Sequence, residues 1–313
     1  METRAQKKVI HSLCILFFLV CTQSTSVFAI EQQVVTVDPA FQEVTLKEKD
    51  TAVPFFLTYA NTTDSPQYVE FFPIDIKQIG ENGEVAFIDK PQVGDKVSAA
   101  NFIKLSTSSA ILQPGMNQKI DFRVENFQSL GPGGHYGAII ARFSPLGSEG
   151  KQMVVPGVSS FVLVRKVGGE RYSLSLVQES LLPTTFLSTV PKEIRLMFEN
   201  NGNIHVVPRG TIEITDLFGR MISRGIINDG SLFLFPGARR QFSTPMYSVK
   251  KALPLMLYTL KVSGESEPGD IPYFTQTSFV VIKPLTAMIT LLSIGGIVAA
   301  LWKLKRKRGK KSV

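Results

Sequence analysis

Short runs in which apolar and polar residues alternate recur through the middle of this chain, and that period of two constrains its fold more than any other feature. Ile120, Phe122 and Val124 alternate with Asp121, Arg123 and Glu125, while Ile194, Leu196 and Phe198 face away from Arg195 and Glu199. Tyr172, Leu174 and Leu176 are separated by serines. Ile212 and Ile214 sit against Glu213 and Thr215, and Met256, Tyr258, Leu260 and Val262 repeat the pattern. Successive side chains of a strand point to opposite faces, so half-buried antiparallel strands write this signature. Turn signals punctuate the runs at Asn61–Asp64, Glu81–Gly83, Gln113–Gly115, Asn200–Asn203 and Phe235–Gly237. No long amphipathic helical stretch competes with them.

Many short strands between Gly and Pro turns predict β-sandwiches of the immunoglobulin-like kind. The Cys…Trp…Cys signature of true immunoglobulin domains is absent, because the one tryptophan, Trp302, lies near the C-terminus. Residues 30–283 are long enough for two domains. The expected organisation is a signal peptide (1–29), a first Ig-like β-sandwich (30–167), a second (168–281), a transmembrane helix (282–302) and a basic tail (303–313). The seam falls at Val167-Gly168-Gly169-Glu170, directly after the apolar strand Ser160–Val167, and its paired glycines allow a local hinge of limited range. A faint repeat links the two halves. In each, a strand ends in an Asn-rich turn (Asn61, Asn201), and a Leu-x-Pro-Gly turn (Leu112–Gly115, Leu234–Gly237) precedes a later alternating strand. Duplication and convergent turn chemistry both account for it.

The ends predict topology. Arg4, Lys7 and Lys8 precede the apolar run Val9–Val20, which is too short to cross roughly 30 Å of hydrocarbon. With Val27-Phe28-Ala29 downstream, it reads as a signal peptide cleaved after Ala29. Leu285–Trp302 carries no charge and spans about 27 Å as a helix. Seven basic residues follow it, from Lys303 to Lys311. By the positive-inside rule this places the C-terminus in the cytoplasm and the body outside a single-pass plasma-membrane anchor. The formal net charge of +8 resides in these two ends, leaving a body close to neutral. The basicity therefore suits anionic lipid headgroups at the tail rather than nucleic acid. Both cysteines, Cys14 and Cys21, fall in the leader, so the body is held by its core without disulfides.

Nothing in the body spells an active site. A cysteine nucleophile and a Cys-containing zinc site are excluded, and no Gly-x-Ser-x-Gly elbow occurs. The densest glycine cluster, Gly131–Gly137, lacks the Lys-Ser/Thr of a phosphate loop and leads into a strand. Glu265–Asp270 lacks the spacing of a calcium loop. His205 has no ligand at metal spacing beside it. The chain is therefore expected to be no enzyme and to need no cofactor or metal. Sandwiches bind through end loops or strand edges. The candidate partner-binding residues are Gly133, Gly134, His135 and Tyr136 in the loop Asn126–Tyr136, and Asn201, Asn203 and His205 in the loop Asn200–His205.

The order of parts, together with Thr58–Asp64, Leu112–Val124, Gly133–Phe143 and Ser160–Val167, resembles the WxL-interacting proteins of Gram-positive bacterial surfaces. That resemblance implies a membrane-anchored scaffold outside the cell, with peptidoglycan or a surface protein as partner. The alternative is an extracytoplasmic accessory or chaperone-like subunit of a membrane enzyme or secretion complex.

Overall fold

The computed structural model describes residues 35–88, 97–147, 157–177 and 185–309, and within the last of these not the side chains at 287, 290, 291 and 303–309. The expected signal peptide lies outside the described residues. Those described form nineteen strands, one 3₁₀ turn (Ala100–Phe102) and one α-helix, α1 (Pro284–Gly309).

The first half contains β1 (Val35–Asp38), β2 (Phe41–Leu46), β3 (Ala52–Asn61), β4 (Gln67–Ile79), β5 (Glu84–Ile88), β6 (Ile103–Leu105), β7 (Ser109–Leu112), β8 (Asn117–Glu125), β9 (Gly133–Pro145) and β10 (Gly157–Lys166). One sheet has the order β1-β3-β8-β6 and the other β2-β10-β9-β4-β5, with β7 also pairing with β4. All pairings are antiparallel except β10 with β2. The alternation of β8 is realised as read: Ile120, Phe122 and Val124 are buried, while Asp121 and Arg123 are exposed. Tyr59 of β3 meets Phe71 of β4 at 4.9 Å between ring centres, joining the two sheets face to face.

The second half contains β11 (Leu174–Val177), β12 (Phe186–Leu187), β13 (Glu193–Asn200), β14 (Val207–Asp216), β15 (Met221–Ile227), β16 (Arg239–Pro245), β17 (Tyr247–Ser248), β18 (Leu255–Glu267) and β19 (Pro272–Ile282). Its sheets are β11-β13-β16 and β12-β19-β18-β14-β15-β17. Ile194, Leu196 and Phe198 of β13 point into one core with Ile212, Ile214, Tyr258, Leu260 and Val262 of the larger sheet. Phe198 packs edge-on against Tyr273 across that core at 4.9 Å. The architecture is thus all-β and sandwich-like in both halves.

The repeat seen in the sequence is a hydrogen-bonded clasp. Asn61 Nδ2 donates to Leu112 O and Ser65 O, each at 2.9 Å, and Gly115 N donates to Asn61 O. Asn200 Nδ2 donates to Leu234 O at 2.9 Å and Ile204 O at 2.8 Å, and Gly237 N donates to Asn200 O. The residue equivalent to Asn61 is therefore Asn200, one before the expected Asn201. Its side chain ties a strand end to the carbonyl of the leucine in the Leu-x-Pro-Gly turn.

The helix also begins later than read. β19 runs to Ile282, and α1 opens at Pro284, whose fixed φ and missing N–H suit a first helical turn. Among the described residues no helix is long and apolar enough to cross a membrane; three side chains of the apolar run, at 287, 290 and 291, are outside that description.

Candidate binding cleft at the junction of the sandwiches

The apolar run of β10 has a physical origin. A strand of a half-solvated sheet alternates, but Val162, Leu163 and Val164 are all buried. Leu163 forms a cluster with Ile76, Tyr136, Ala138 and Phe235, the last of these from the second half. The β2-β10-β9-β4-β5 sheet is therefore covered on both faces, partly by the second sandwich.

Gly133, Gly134, His135 and Tyr136 belong to the start of β9 and are buried. The expectation that they form a free end loop is corrected, because they meet the other nominated segment at the junction. Gly134 N donates to Asn203 O at 2.7 Å. A Cβ on Gly134 would collide with the Tyr136 hydroxyl, and one on Gly133 would lie 2.7 Å from Asn203 O. These glycines permit close approach of two chains rather than loop mobility. Asn203 also fastens the seam, since its Oδ1 accepts from Arg171 N at 2.6 Å and its Nδ2 donates to Gly169 O at 3.0 Å. Asn201 is exposed and donates to Ser175 Oγ at 3.0 Å. His135 turns its Nε2 to Gly131 O at 2.8 Å, and burial pushes its pKa below the ordinary value.

Tyr136 stacks on Phe235 with ring centres 4.2 Å apart and planes 14° off parallel. Its hydroxyl accepts from His205 N at 2.7 Å and lies 3.1 Å from His205 Nδ1, while His205 Nε2 is 3.6 Å from Glu43 Oε1. The imidazole beside Glu43 holds that carboxyl below the usual range, and burial pushes the Tyr136 hydroxyl well above its own. A Tyr-His-Glu chain has the form of a proton relay. Here Tyr136 and His205 are each 1% exposed, and neither lines the neighbouring cleft, so the chain acts as a strut between the sandwiches. Among the described residues no cluster of three or more His, Cys, Asp or Glu side chains could hold a metal ion.

Beside this strut lies an open cleft of about 480 Å³. Phe41, Ile76, Phe161 and Leu163 line it from the first sandwich, and Phe233 and Phe235 from the second. Phe41 and Phe233 meet edge-on at 5.7 Å. Gln78 bolts the cleft at one side, accepting from Phe235 N at 3.1 Å and donating to Arg239 O at 3.4 Å. Two cations stand in the wall, Arg209 and Arg240. Arg240 of β16 donates through Nη1 to Phe233 O at 2.8 Å, and burial lowers its pKa from the ordinary value. No ion pair to Arg240 occurs among the described residues, whereas Arg209, also on the wall, is paired with Glu267. Gly83, at φ +80°, leaves the guanidinium its place, since a Cβ there would strike it. A half-buried guanidinium with spare donors in an apolar cleft is arranged to receive a carboxylate.

Sequence reasoning missed Arg240, Phe41, Phe161, Phe233 and Phe235. The available signal was apolarity on consecutive strand positions, in Phe161-Val162-Leu163-Val164 and Phe233-Leu234-Phe235, which marks a second covered face.

No family model matches the chain, and no curated protein matches it by sequence. Among solved structures it is similar to the class 5 fimbriae chaperone CfaA, at 10% identity over 79% of this chain and 99% of that one, with a TM-score of 0.39. It is similar to a chain of the CsuC–CsuE chaperone–tip adhesion subunit complex of Acinetobacter baumannii, at 10% identity over 77% and 97%, with a TM-score of 0.38. It is also similar to the CupB2 chaperone of Pseudomonas aeruginosa, at 10% identity over 77% and 97%, with a TM-score of 0.36.

Proposed function

We propose that this chain is a non-catalytic binding protein held at the outer face of a plasma membrane by α1, and that its cleft takes an extended, apolar polypeptide segment bearing a carboxylate. The role is that of an extracytoplasmic accessory, chaperone-like in presenting or shielding a segment of another protein. The observation that carries this reading is Arg240, a cation with no acidic partner among the described residues, in a wall of phenylalanines. The cleft, and not the likeness to fimbrial chaperones, carries it. Apolar side chains supply the area, and one charge-assisted hydrogen bond fixes direction and register. β2 and β5 are edge strands of the cleft-lining sheet, so backbone pairing with an extended ligand is open to both.

The test is fluorescence anisotropy with the full chain in detergent and a dye-labelled apolar decapeptide, made once with a free C-terminal carboxylate and once as the amide. A charged hydrogen bond is worth about 1.5–3 kcal/mol, so the carboxylate peptide binds roughly tenfold or more tighter. Arg240→Gln erases that difference while leaving the amide's affinity unchanged. No peptide binding, or equal binding of both peptides by both proteins, refutes the reading. A wall-scaffold role of the WxL-interacting kind predicts a different ligand, and soluble peptidoglycan fragments in the same assay separate the two.

A further inference from the structure

The outer face of the larger sheet in the second half changes character along its length. Residues paired across β18 and β19 share a face, so the outward rungs can be read from the register. Lys261 with Gln276 and Thr259 with Ser278 are polar rungs. The next are Leu257 with Val280 and Leu255 with Ile282, after which the chain passes through Lys283 into α1. Phe186 of β12 pairs with Val280 and extends that apolar rung across a third strand. Leu255, Leu257 and Phe186 are exposed.

Two further segments reach the same end. Asp216, the last residue of β14, is level with Tyr258, so the β14–β15 turn projects past it and carries Leu217 and Phe218, the latter 72% exposed. The connection after β17 runs past Ile222, with Val249 N donating to Ile222 O at 2.8 Å, and presents Val249, Lys250, Lys251 and Leu253. The acid in this region is neutralised, since Asp216 is held by Arg220 at 2.6 Å. Lys250, Lys251 and Lys283 are exposed and form no ion pair among the described residues. At the opposite end of the same strands stand Glu265, Glu267 and Asp270.

We propose that the end of the second sandwich from which α1 departs is a bilayer-seating surface, with Leu217, Phe218, Leu253 and Leu255 entering the headgroup–acyl boundary and Lys250, Lys251 and Lys283 contacting anionic lipid phosphates. The proposal rests on α1 being a membrane anchor and adds that the body lies against the lipid rather than standing off on a tether. Exposed apolar tips rimmed by unpaired lysines are costly in water and matched to an anionic interface. Continuity supports the same occupant, because the apolar rungs are the last before Lys283 and the charge-free run Leu285–Trp302 of α1. Seating fixes the cleft, at the far end of the second sandwich, at a set height above the membrane.

The experiment uses the full chain with Cys14 and Cys21 replaced by serine, reconstituted in vesicles of phosphatidylcholine and phosphatidylglycerol. Nitroxide labels are placed singly through Phe218→Cys, Leu253→Cys, Phe56→Cys and Ile294→Cys, and collisions with oxygen and with a water-soluble nickel chelate are compared. The proposal expects labels at 218 and 253 to favour oxygen several-fold over the label at 56, an exposed position in the first sandwich. It also expects that advantage to shrink in phosphatidylcholine alone and in Lys250→Glu/Lys251→Glu. Nickel-accessible labels at 218 and 253 overturn it, and the label at 294 then tells which idea failed. Lipid contact at 294 sinks the seating alone, and water at 294 sinks the anchor with it. Spin–spin broadening at 218 in place of lipid contact also overturns it, by assigning the surface to a second copy of the chain.

Discussion

Removing one oxygen tests the docking of the two sandwiches. In Tyr136→Phe the stack on Phe235, 4.2 Å between ring centres, is untouched, so its contribution of about 0.5–1.5 kcal/mol stays. What is lost is the acceptor for His205 N at 2.7 Å and the partner of His205 Nδ1 at 3.1 Å. Both groups belong to a residue 1% exposed, and water does not replace the hydroxyl without opening the junction. A buried polar group left without a partner costs about 1–3 kcal/mol, so the pair together costs at least about 2 kcal/mol. For domains of this size that lowers the melting temperature by roughly 5–15 °C. The assay is urea unfolding of the full chain in detergent, followed by near-ultraviolet circular dichroism, with Tyr247→Phe as an exposed control expected within about 0.5 kcal/mol of the parent. Protease cleavage in the 167–173 connection should speed up in Tyr136→Phe alone. Indistinguishable costs for the two variants refute the reasoning, since they mean that the junction hydroxyl is solvated and the sandwiches are not docked through it.

The Asn clasps predict matching losses in the two halves. Asn200→Ala leaves the carbonyl of Ile204 and the N–H of Gly202 unpaired and takes from Leu234 O one of its two donors, Val206 N remaining, costing about 3 kcal/mol by denaturant titration, and Asn61→Ala costs a similar amount. Aspartate at either position is worse, because a carboxylate then faces two carbonyl oxygens; tolerance of alanine at both would falsify the clasp. Burial lowers the pKa of His135 from 6.5 in the folded chain, so acid protonates the unfolded chain first. Its contribution is complete above pH 6.5 and is lost as pH falls from there toward the folded value; a pH titration of stability should show this slope in the parent and not in His135→Gln. Glu43, also lowered in the fold, adds a separate loss that begins only below its ordinary value of 4.5. Gly83→Ala places a Cβ at φ +80° where the Arg240 guanidinium lies, costing about 1–2 kcal/mol. It should also weaken the carboxylate peptide more than the amide in anisotropy; unchanged discrimination contradicts the assigned position of Arg240.

Local order was legible in the residues, and non-local order was not. The alternation of β8 and β13 announced their buried faces, because a strand's period is a property of consecutive residues. The Leu-x-Pro-Gly turns and their asparagines were visible as a repeat, although only the hydrogen bonds distinguish Asn200 from Asn201. β10 read as an apolar strand, yet nothing local says what covers its second face. Gly133 and Gly134 looked like a loop because glycine serves both turning and close approach, and the residues they approach lie across the junction. Tyr136 and His205 are 69 positions apart, and Gln78 and Phe235 are 157 apart. Arg240 was one of 34 basic residues until the fold placed it, half-buried, in a cleft wall of phenylalanines.

Site-specific photo-crosslinking from position 233 tests the central claim most directly. The full chain carrying benzoylphenylalanine in place of Phe233 is irradiated in cells and the adducts are mapped, with the same probe at position 56 as the exposed control. The account predicts adducts to an apolar segment of a second polypeptide from 233 and not from 56, depleted when Arg240→Gln is added. Adducts from 233 that fall only within the chain itself would mean that the cleft is closed and empty of partners, and would contradict it.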